Sequence, residues 1–375
     1  MNNHIIFVTF GDFANLSDGG SKFSNGILES LNKIYKNITT YNFYDNTRIR
    51  NRKIRKLIAA IICAIKKLPL PVAYFYSRAL IKNLLNHIQK VVESTTPPEK
   101  IIVIIDHLEL CYLIPILKSR YSSLITIIHI SHNHESSLFQ QRFSSNLIYR
   151  FSEYFREYSD FERDAIMESN VILSISEDET RFYTELLKSQ KPTIPPPVIT
   201  IPPIFSYPRS IINIDANAIN YKVVFLANLN WWPNIQAYNW IRDSLSKSLP
   251  KNIKIHIYGN GSLRYQDTTN IAHHGFAPDI YSIWKDAICS IAPIISGSGV
   301  NIKVAESLYN NIPVIGTALA FKGIAQKNLS GAITADLNST QWVSLLIEMT
   351  KSREVISKPN YPDADEILAE IRRFI

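Results

Sequence analysis

Short runs of branched apolar residues recur in the first half of the chain at 5–10, 101–105, 125–130 and 171–175, each bounded by polar residues. They predict strands, and the longer stretches between them, at 22–36, 54–65, 78–92, 110–119 and 147–167, predict helices. Strands that are apolar on both faces and separated by helices belong in parallel sheets covered on both sides. The alternation restarts at Tyr221, with strand runs at 223–226, 253–258, 287–292 and 312–315. Between the halves, residues 191–203 hold six prolines. Proline neither continues a helix nor donates to a central strand, so an extended crossing between domains is predicted there. Near the end, Ile367, Leu368, Ile371 and Phe374 at helical spacing predict a terminal helix. The expected organisation is α/β throughout, with a first domain at 1–205, a linker at 206–220, a second domain at 221–358 and a helix at 359–375. No internal repeat interrupts it.

Length supports two domains, because 375 residues exceed what one core usually serves. An apolar content of 46% excludes a disordered chain. Cys63, Cys111 and Cys289 are odd in number, widely spaced and set among apolar residues, which predicts reduced, buried thiols in a cytosolic protein. The first apolar run has no basic region before it and soon meets Gly11, so it predicts a strand rather than a signal peptide. The longest run, 57–65, falls well short of the roughly 20 residues that span a bilayer.

Charge changes the picture more. Between Asp45 and Glu93 there is no acidic residue but eleven basic ones, more than the whole net charge of +8. They flank the apolar run, with Tyr74, Phe75 and Tyr76 just beyond. The segment 48–67 suits an anionic membrane surface, at roughly 1 kcal/mol per basic residue near the lipid. A core helix with solvated ends fits the same pattern. No reader motif accompanies the charge, so no nucleic-acid partner is expected.

The stretch from Gly297 to Glu306 carries the strongest chemistry. It reads as a strand end, a glycine loop and the first turns of a helix, with the strand run 312–315 after it. Glycines admit a ligand close to the backbone, and a helix start offers N–H groups and a positive dipole end to an anion. Lys303 and Glu306, three apart, share a helix face. One brings a cation and the other a carboxylate that can accept two hydroxyl hydrogen bonds, a pairing that suits a pyrophosphate beside a ribose.

With residues 225–234, Ile257-Tyr258-Gly259-Asn260-Gly261, His274-Gly275-Phe276, Thr317 and Gly323, the stretch resembles the nucleotide-sugar half of GT-B glycosyltransferases, family 4 and its relatives above all. The resemblance covers 221–325 well and the first half loosely. It implies two Rossmann-like parallel-sheet domains facing across a cleft, the first on the acceptor side, and a terminal helix that crosses back. It also implies transfer of a sugar from a UDP- or GDP-type donor to a hydroxyl of a glycan or lipid-linked glycan, in bacterial polysaccharide or lipopolysaccharide synthesis, with retention. The enzyme would work in the cytoplasm, at the inner face of the membrane, with no cofactor and no metal. In such an enzyme Glu306 would hold the ribose hydroxyls. Lys303, with the backbone of Gly299 and Val300 and the neighbouring Ser298 and Asn301, would bind the diphosphate side of the donor. Gly19 and Gly20 match the place of the loop that closes over the phosphates. Two departures stand out. Ser298 occupies the position of a second glutamate, with seven residues between it and Glu306, and Ala227-Asn228 stands where Gly-Arg is frequent, leaving Asn228 as a hydrogen-bond donor there.

In the first half, His132-Asn133-His134-Glu135 matches a His-Asn-x-Glu form at a strand end, which makes His132 the catalytic candidate. A zinc site is the rival reading, opposed by strand alternation, which points His129 and His132 apart. Glu177-Asp178-Glu179 reads as acids completing a helix start. Trp240 reads as core. Two other functions remain open: a nucleotide-sugar epimerase on the same fold, and a glycan- or nucleotide-binding protein without turnover.

Overall fold

A computed structural model describes residues 4–11, 13, 19–47, 51–94, 100–143, 154–210, 219–277, 279–297, 299–351 and 359–374. Contacts divide the chain into two units, Met1–Gly11 with Ile27–Pro202 and Leu368–Ile375, and Asp12–Gly26 with Pro203–Ile367.

The first unit is built on six parallel strands: β1 (His4–Thr9), β2 (Ile38–Asn42), β3 (Ile101–Asp106), β4 (Ile125–Ser131), β5 (Val171–Ser174) and β6 (Val198–Thr200), in the order β2-β1-β3-β4-β5-β6. Every residue of β3 and β4 is buried, as a central parallel strand under two helical layers requires. The helices are α1 (Gly19–Asn32), whose residues up to Gly26 group with the second unit, α2 (Arg52–Lys66), α3 (Leu70–Tyr74), α4 (Arg78–Ser94), α5 (Leu113–Tyr121), α6 (Glu135–Phe143), α7 (Tyr154–Glu168) and α8 (Glu177–Gln190). Ser176 caps α8 by accepting from the Glu179 N–H while its hydroxyl bonds the Glu179 carboxylate, a reciprocal arrangement that accounts for the acids there.

The proline-rich stretch departs from the predicted crossing. It contains β6, which joins the sheet edge beside β5. Prolines bracket this strand without entering it, and an edge position leaves one side needing no N–H donor.

The second unit repeats the plan with β7 (Tyr221–Leu226), β8 (Ile253–Tyr258), β9 (Ile271–Gly275), β10 (Ala287–Ala292), β11 (Val314–Gly316) and β12 (Ala332–Thr334), all parallel, in the order β12-β11-β10-β7-β8-β9. Its helices are α9 (Trp232–Trp240), α10 (Ile280–Trp284), α11 (Ile302–Tyr309), α12 (Ser339–Lys351) and α13 (Ala364–Ile371). Trp240 stacks edge-on against Trp342 within this core, while Trp231 and Trp232 are exposed. Gly26 shows why α1 needs a glycine: a Cβ there would lie 1.9 Å from the Ile204 carbonyl oxygen.

Among the described residues, no helix is long and apolar enough to cross a membrane. Cys63, Cys111 and Cys289 are free thiols; Cys111 and Cys289 are buried, whereas Cys63 is only half-buried on α2.

Candidate active site

In the second unit, β10 ends at Ala292 and the chain reaches α11 through a loop in which Gly297 adopts a left-handed φ of 133°. Asn301 precedes the helix but does not cap it. Its amide donates instead to the carbonyls of Leu319 and Ala320, pinning the loop to the turn after β11. The first turn of α11 holds no acid, so its positive end is left for a ligand. Gly299 and Val300 lead into it, both half-buried; Ser298 lies outside the described residues.

The helix delivers Lys303 and Glu306 to one face. Lys303 Nζ donates to Asn234 Oδ1 at 2.5 Å and lies 5.5 Å from the Phe225 ring centroid. The residue is half-buried by exposure, yet its amine is enclosed, and burial lowers its pKa to about 8. Glu306 is 1% exposed. Lys22 of α1 donates to both of its oxygens at 2.7 Å, and the Tyr207 hydroxyl donates to Oε1 at 3.1 Å. Carboxylate contact and burial together push the Tyr207 hydroxyl up, burial being the larger cause.

The glycines at the start of α1 lie at the same place. A Cβ on Gly19 would stand 3.1 Å from Ile302 Cδ1, at the first residue of α11, so two helix N-termini approach each other there. Gly20 follows, its carbonyl accepting from the Ser24 hydroxyl. Asn228 serves differently from the expected phosphate donor. Its side-chain oxygen accepts from the Asn230 N–H, and its carbonyl accepts from the Asn234 amide, which in turn meets Lys303. It shapes the loop that holds Lys303. Thr317 bonds the Ile294 carbonyl and fixes the other side of the glycine loop.

An amine held near pH 8 by burial should report on diphosphate binding. A neighbouring anion favours the charged amine, so binding above about pH 8 takes up a proton. Nucleoside diphosphate affinity is expected to be flat up to about pH 8 and then to fall by up to about tenfold per pH unit. Calorimetry in two buffers of different ionisation enthalpy reads the proton directly; a flat affinity up to about pH 9.5 would remove Lys303 from the diphosphate site.

The first unit has its own cluster, at the carboxyl ends of its strands, where ligands of such sheets bind. Asp106 ends β3 fully buried. Thr9, at the end of β1, donates its hydroxyl to Oδ2 at 2.6 Å, and His132, just past β4, meets Oδ1 through Nε2 at 2.6 Å. Burial alone would raise the Asp106 pKa, but His107, His132 and the Thr9 hydroxyl hold it well below the usual carboxylate range. An ionised carboxylate only accepts, so His132 donates from Nε2 and its ring is fixed in rotation and tautomer.

His107 adopts φ 75°, a strained conformation for a residue with a Cβ, beside this site. Its ring lies between Phe10 (4.1 Å) and His132 (3.7 Å), and Phe10 stacks in turn on Phe75 (4.1 Å). Burial lowers its pKa to about 3, so it is neutral. The predicted separation of His129 from His132 holds: His129 Nδ1 faces the Ile105 carbonyl and Cys111 Sγ instead.

Among the described residues, Asp106, His107 and His132 place ligand-type atoms within 4.8 Å of one another. The two imidazoles stack within 9° of parallel, and His132 already commits Nε2 to Asp106 in this arrangement.

Behind His132 the chain enters α6, whose N-terminus is received by the buried Glu162 of α7. That carboxylate accepts from the N–H groups of Glu135 and Ser136, the Ser136 hydroxyl and the Tyr183 hydroxyl. Glu135 itself accepts from the Asn133 amide at 3.2 Å, and burial, then Glu109, pushes its carboxyl up.

Several of these residues escaped the sequence reading: Lys22, Tyr207 and Asn234 around α11, and Thr9, Asp106, His107 and Glu162 around His132. Asp106 had a usable signal, being the polar residue that ends an apolar parallel strand.

Two parallel α/β units, the second with a cation and a buried carboxylate at a helix start beyond its parallel sheet, define an α/β protein of the doubly wound type. Residues 220–352 match the family model described as glycosyl transferases group 1. Among solved structures, the chain is similar to Anabaena Alr3699/HepE in complex with UDP-glucose, at TM-score 0.62 and 10% identity over 98% of each chain. WaaG, a glycosyltransferase involved in lipopolysaccharide biosynthesis, gives 0.53 and 12% over 93% of this chain and 90% of its own. Sucrose-phosphate synthase from Thermosynechococcus elongatus gives 0.58 and 10% over 99% and 98%. No curated protein sequence matches. Residues 220–352 thus carry a domain of the glycosyl transferases group 1 type, and the fold of the chain is the GT-B fold of these neighbours.

Proposed function

We propose that the protein transfers a hexosyl group from a UDP- or GDP-linked donor to a hydroxyl of a glycan or lipid-linked glycan, with retention, at the cytoplasmic face of a bacterial membrane during surface polysaccharide or lipopolysaccharide synthesis. The observation that carries this reading is the buried Glu306 beside Lys303 at the uncapped start of α11. The carboxylate takes the ribose hydroxyls. Lys303, with the N–H groups of Gly299, Val300 and the helix start, takes the diphosphate, where negative charge grows as the bond from the sugar C1 to the leaving oxygen breaks. The acceptor oxygen forms the new bond to C1, and the hydroxyl proton balances the charge on the departing diphosphate. His132, held by Asp106, contacts the sugar. Lys303 and helix N-termini supply the positive charge, so no metal is required. The HepE structures contain UDP or UDP-glucose, and WaaG acts in lipopolysaccharide biosynthesis; both support a nucleotide-sugar donor and a surface-glycan product.

Incubation with UDP-glucose or GDP-mannose and no acceptor tests it. Slow release of nucleoside diphosphate and free sugar, formed first as the donor's own anomer, is expected of a retaining transferase starved of acceptor. Epimerised donor would identify an epimerase, and unchanged donor with tight binding would identify a binder.

A further inference from the structure

Helix α2 has an arrangement that the donor site does not explain. Over its fifteen residues only Arg55 and Ala59 are buried. Arg55 anchors it, donating to the Tyr74 and Tyr76 carbonyls and the Thr47 hydroxyl, with its guanidinium 4.2 Å from the Phe43 ring centroid. Ile54, Leu57, Ile61 and Ile65 are 51–72% exposed. At about 100° per residue these four fall within an arc of roughly 80°, turned away from the anchoring side. Such an apolar ridge in water needs a partner.

The surrounding charge says which kind. Arg52, Lys53, Lys56, Lys66 and Lys67 are all exposed on or at the end of this helix. Glu157 lies near Cys63, which is on the side of the helix away from the ridge. Tyr76, whose carbonyl Arg55 holds, also lines a cavity of about 330 Å³ with Arg78, Lys82, Asn86 and Arg120, and no acid lines it. Arg78 is the first residue of α4, where a cation opposes the helix dipole. A second copy of the chain would bring two such cationic helices together, and a nucleic acid would leave the ridge wet. An anionic lipid surface meets both requirements, covering the ridge with acyl chains and the cations with phosphates.

We propose that the first unit docks on anionic phospholipid through the Ile54, Leu57, Ile61 and Ile65 ridge of α2, with the Arg78, Lys82 and Arg120 cavity receiving a lipid phosphate. This specifies the membrane surface invoked for a lipid-linked acceptor, but docking needs no donor, so the two readings fail separately.

Flotation of the full chain with vesicles of phosphatidylcholine alone, or with about 30% phosphatidylglycerol, tests it. At least about tenfold more protein is expected to float with the anionic vesicles. Leu57→Glu/Ile61→Glu should cut that recovery about tenfold with unchanged circular dichroism and nucleotide binding, because both residues already face solvent. Arg78→Glu/Lys82→Glu should lower it as well and make the remaining binding less sensitive to salt. Equal recovery on both vesicles, or an undiminished ridge variant, overturns the proposal. So does a concentration-dependent dimer that the ridge variant abolishes without any vesicle binding.

Discussion

Glu306→Gln is expected to weaken nucleoside diphosphate binding by about 1–3 kcal/mol, roughly 5- to 150-fold, the cost of losing a charged hydrogen-bond acceptor. The substitution keeps the shape of the side chain, so the loss reads the charge and not a cavity. The structure adds a second, sharper expectation. Lys22 Nζ sits equidistant, at 2.7 Å, from both Glu306 oxygens, on the bisector that two vicinal ribose hydroxyls would take to chelate the same carboxylate. Ribose and ammonium therefore compete. Lys22→Met should strengthen binding of the bare nucleoside, which has no phosphate to attract the displaced amine. Glu306 is buried, so Lys22→Met leaves its carboxylate without a cation and should lower the stability of the free protein as well. Unchanged nucleoside affinity in Lys22→Met, alongside a weakened Glu306→Gln, would place the ribose elsewhere on the carboxylate. No effect of Glu306→Gln would remove the ribose site altogether.

Asp106→Asn is expected to lower turnover by about 10²- to 10⁴-fold with little change in the donor KM. Asp106 is a positioning residue: its ionised carboxylate accepts from His132 Nε2 and from Thr9. An amide can turn its NH₂ toward Nε2, which moves the imidazole proton to the other nitrogen and presents the wrong tautomer to the sugar. The pH dependence of turnover should change shape in this variant, which a loss of stability alone would not produce. Stability itself should become less sensitive to acid. A carboxylate whose folded pKa is depressed contributes stability above its unfolded value near 3.8 and loses it as pH falls, and Asn removes that dependence. A folded Asp106→Asn with wild-type turnover would take His132 out of the chemistry.

The central strands were legible because nothing competed with their pattern: β3 and β4 are unbroken branched apolar runs and fill the middle of their sheet. Edge strands were harder. β2 reads Ile-Thr-Thr-Tyr-Asn, with half its face to water, and β6 has three residues between prolines, so neither carries a burial signal. The pair Lys303 and Glu306 was visible because helical spacing is local. Their partners were not, since Lys22 lies 284 residues and Tyr207 99 residues from Glu306, and no local period encodes such a contact. His132 could be found from a strand-end motif, whereas His107 owes its place to a strained φ and a ring stack that only the folded chain reveals.

A nucleoside diphosphate is the ligand proposed for the α11 site of the second unit. Calorimetric titration of the full chain with UDP and with GDP, each against its bare nucleoside, tests it most directly. One diphosphate is expected to bind, at least about tenfold more tightly than the other and than its own nucleoside, because the base selects and the Lys303 end of the site adds charge. Binding of neither diphosphate, or equal affinity for nucleoside and diphosphate, would contradict the assignment of Lys303, Glu306 and the start of α11 to the donor.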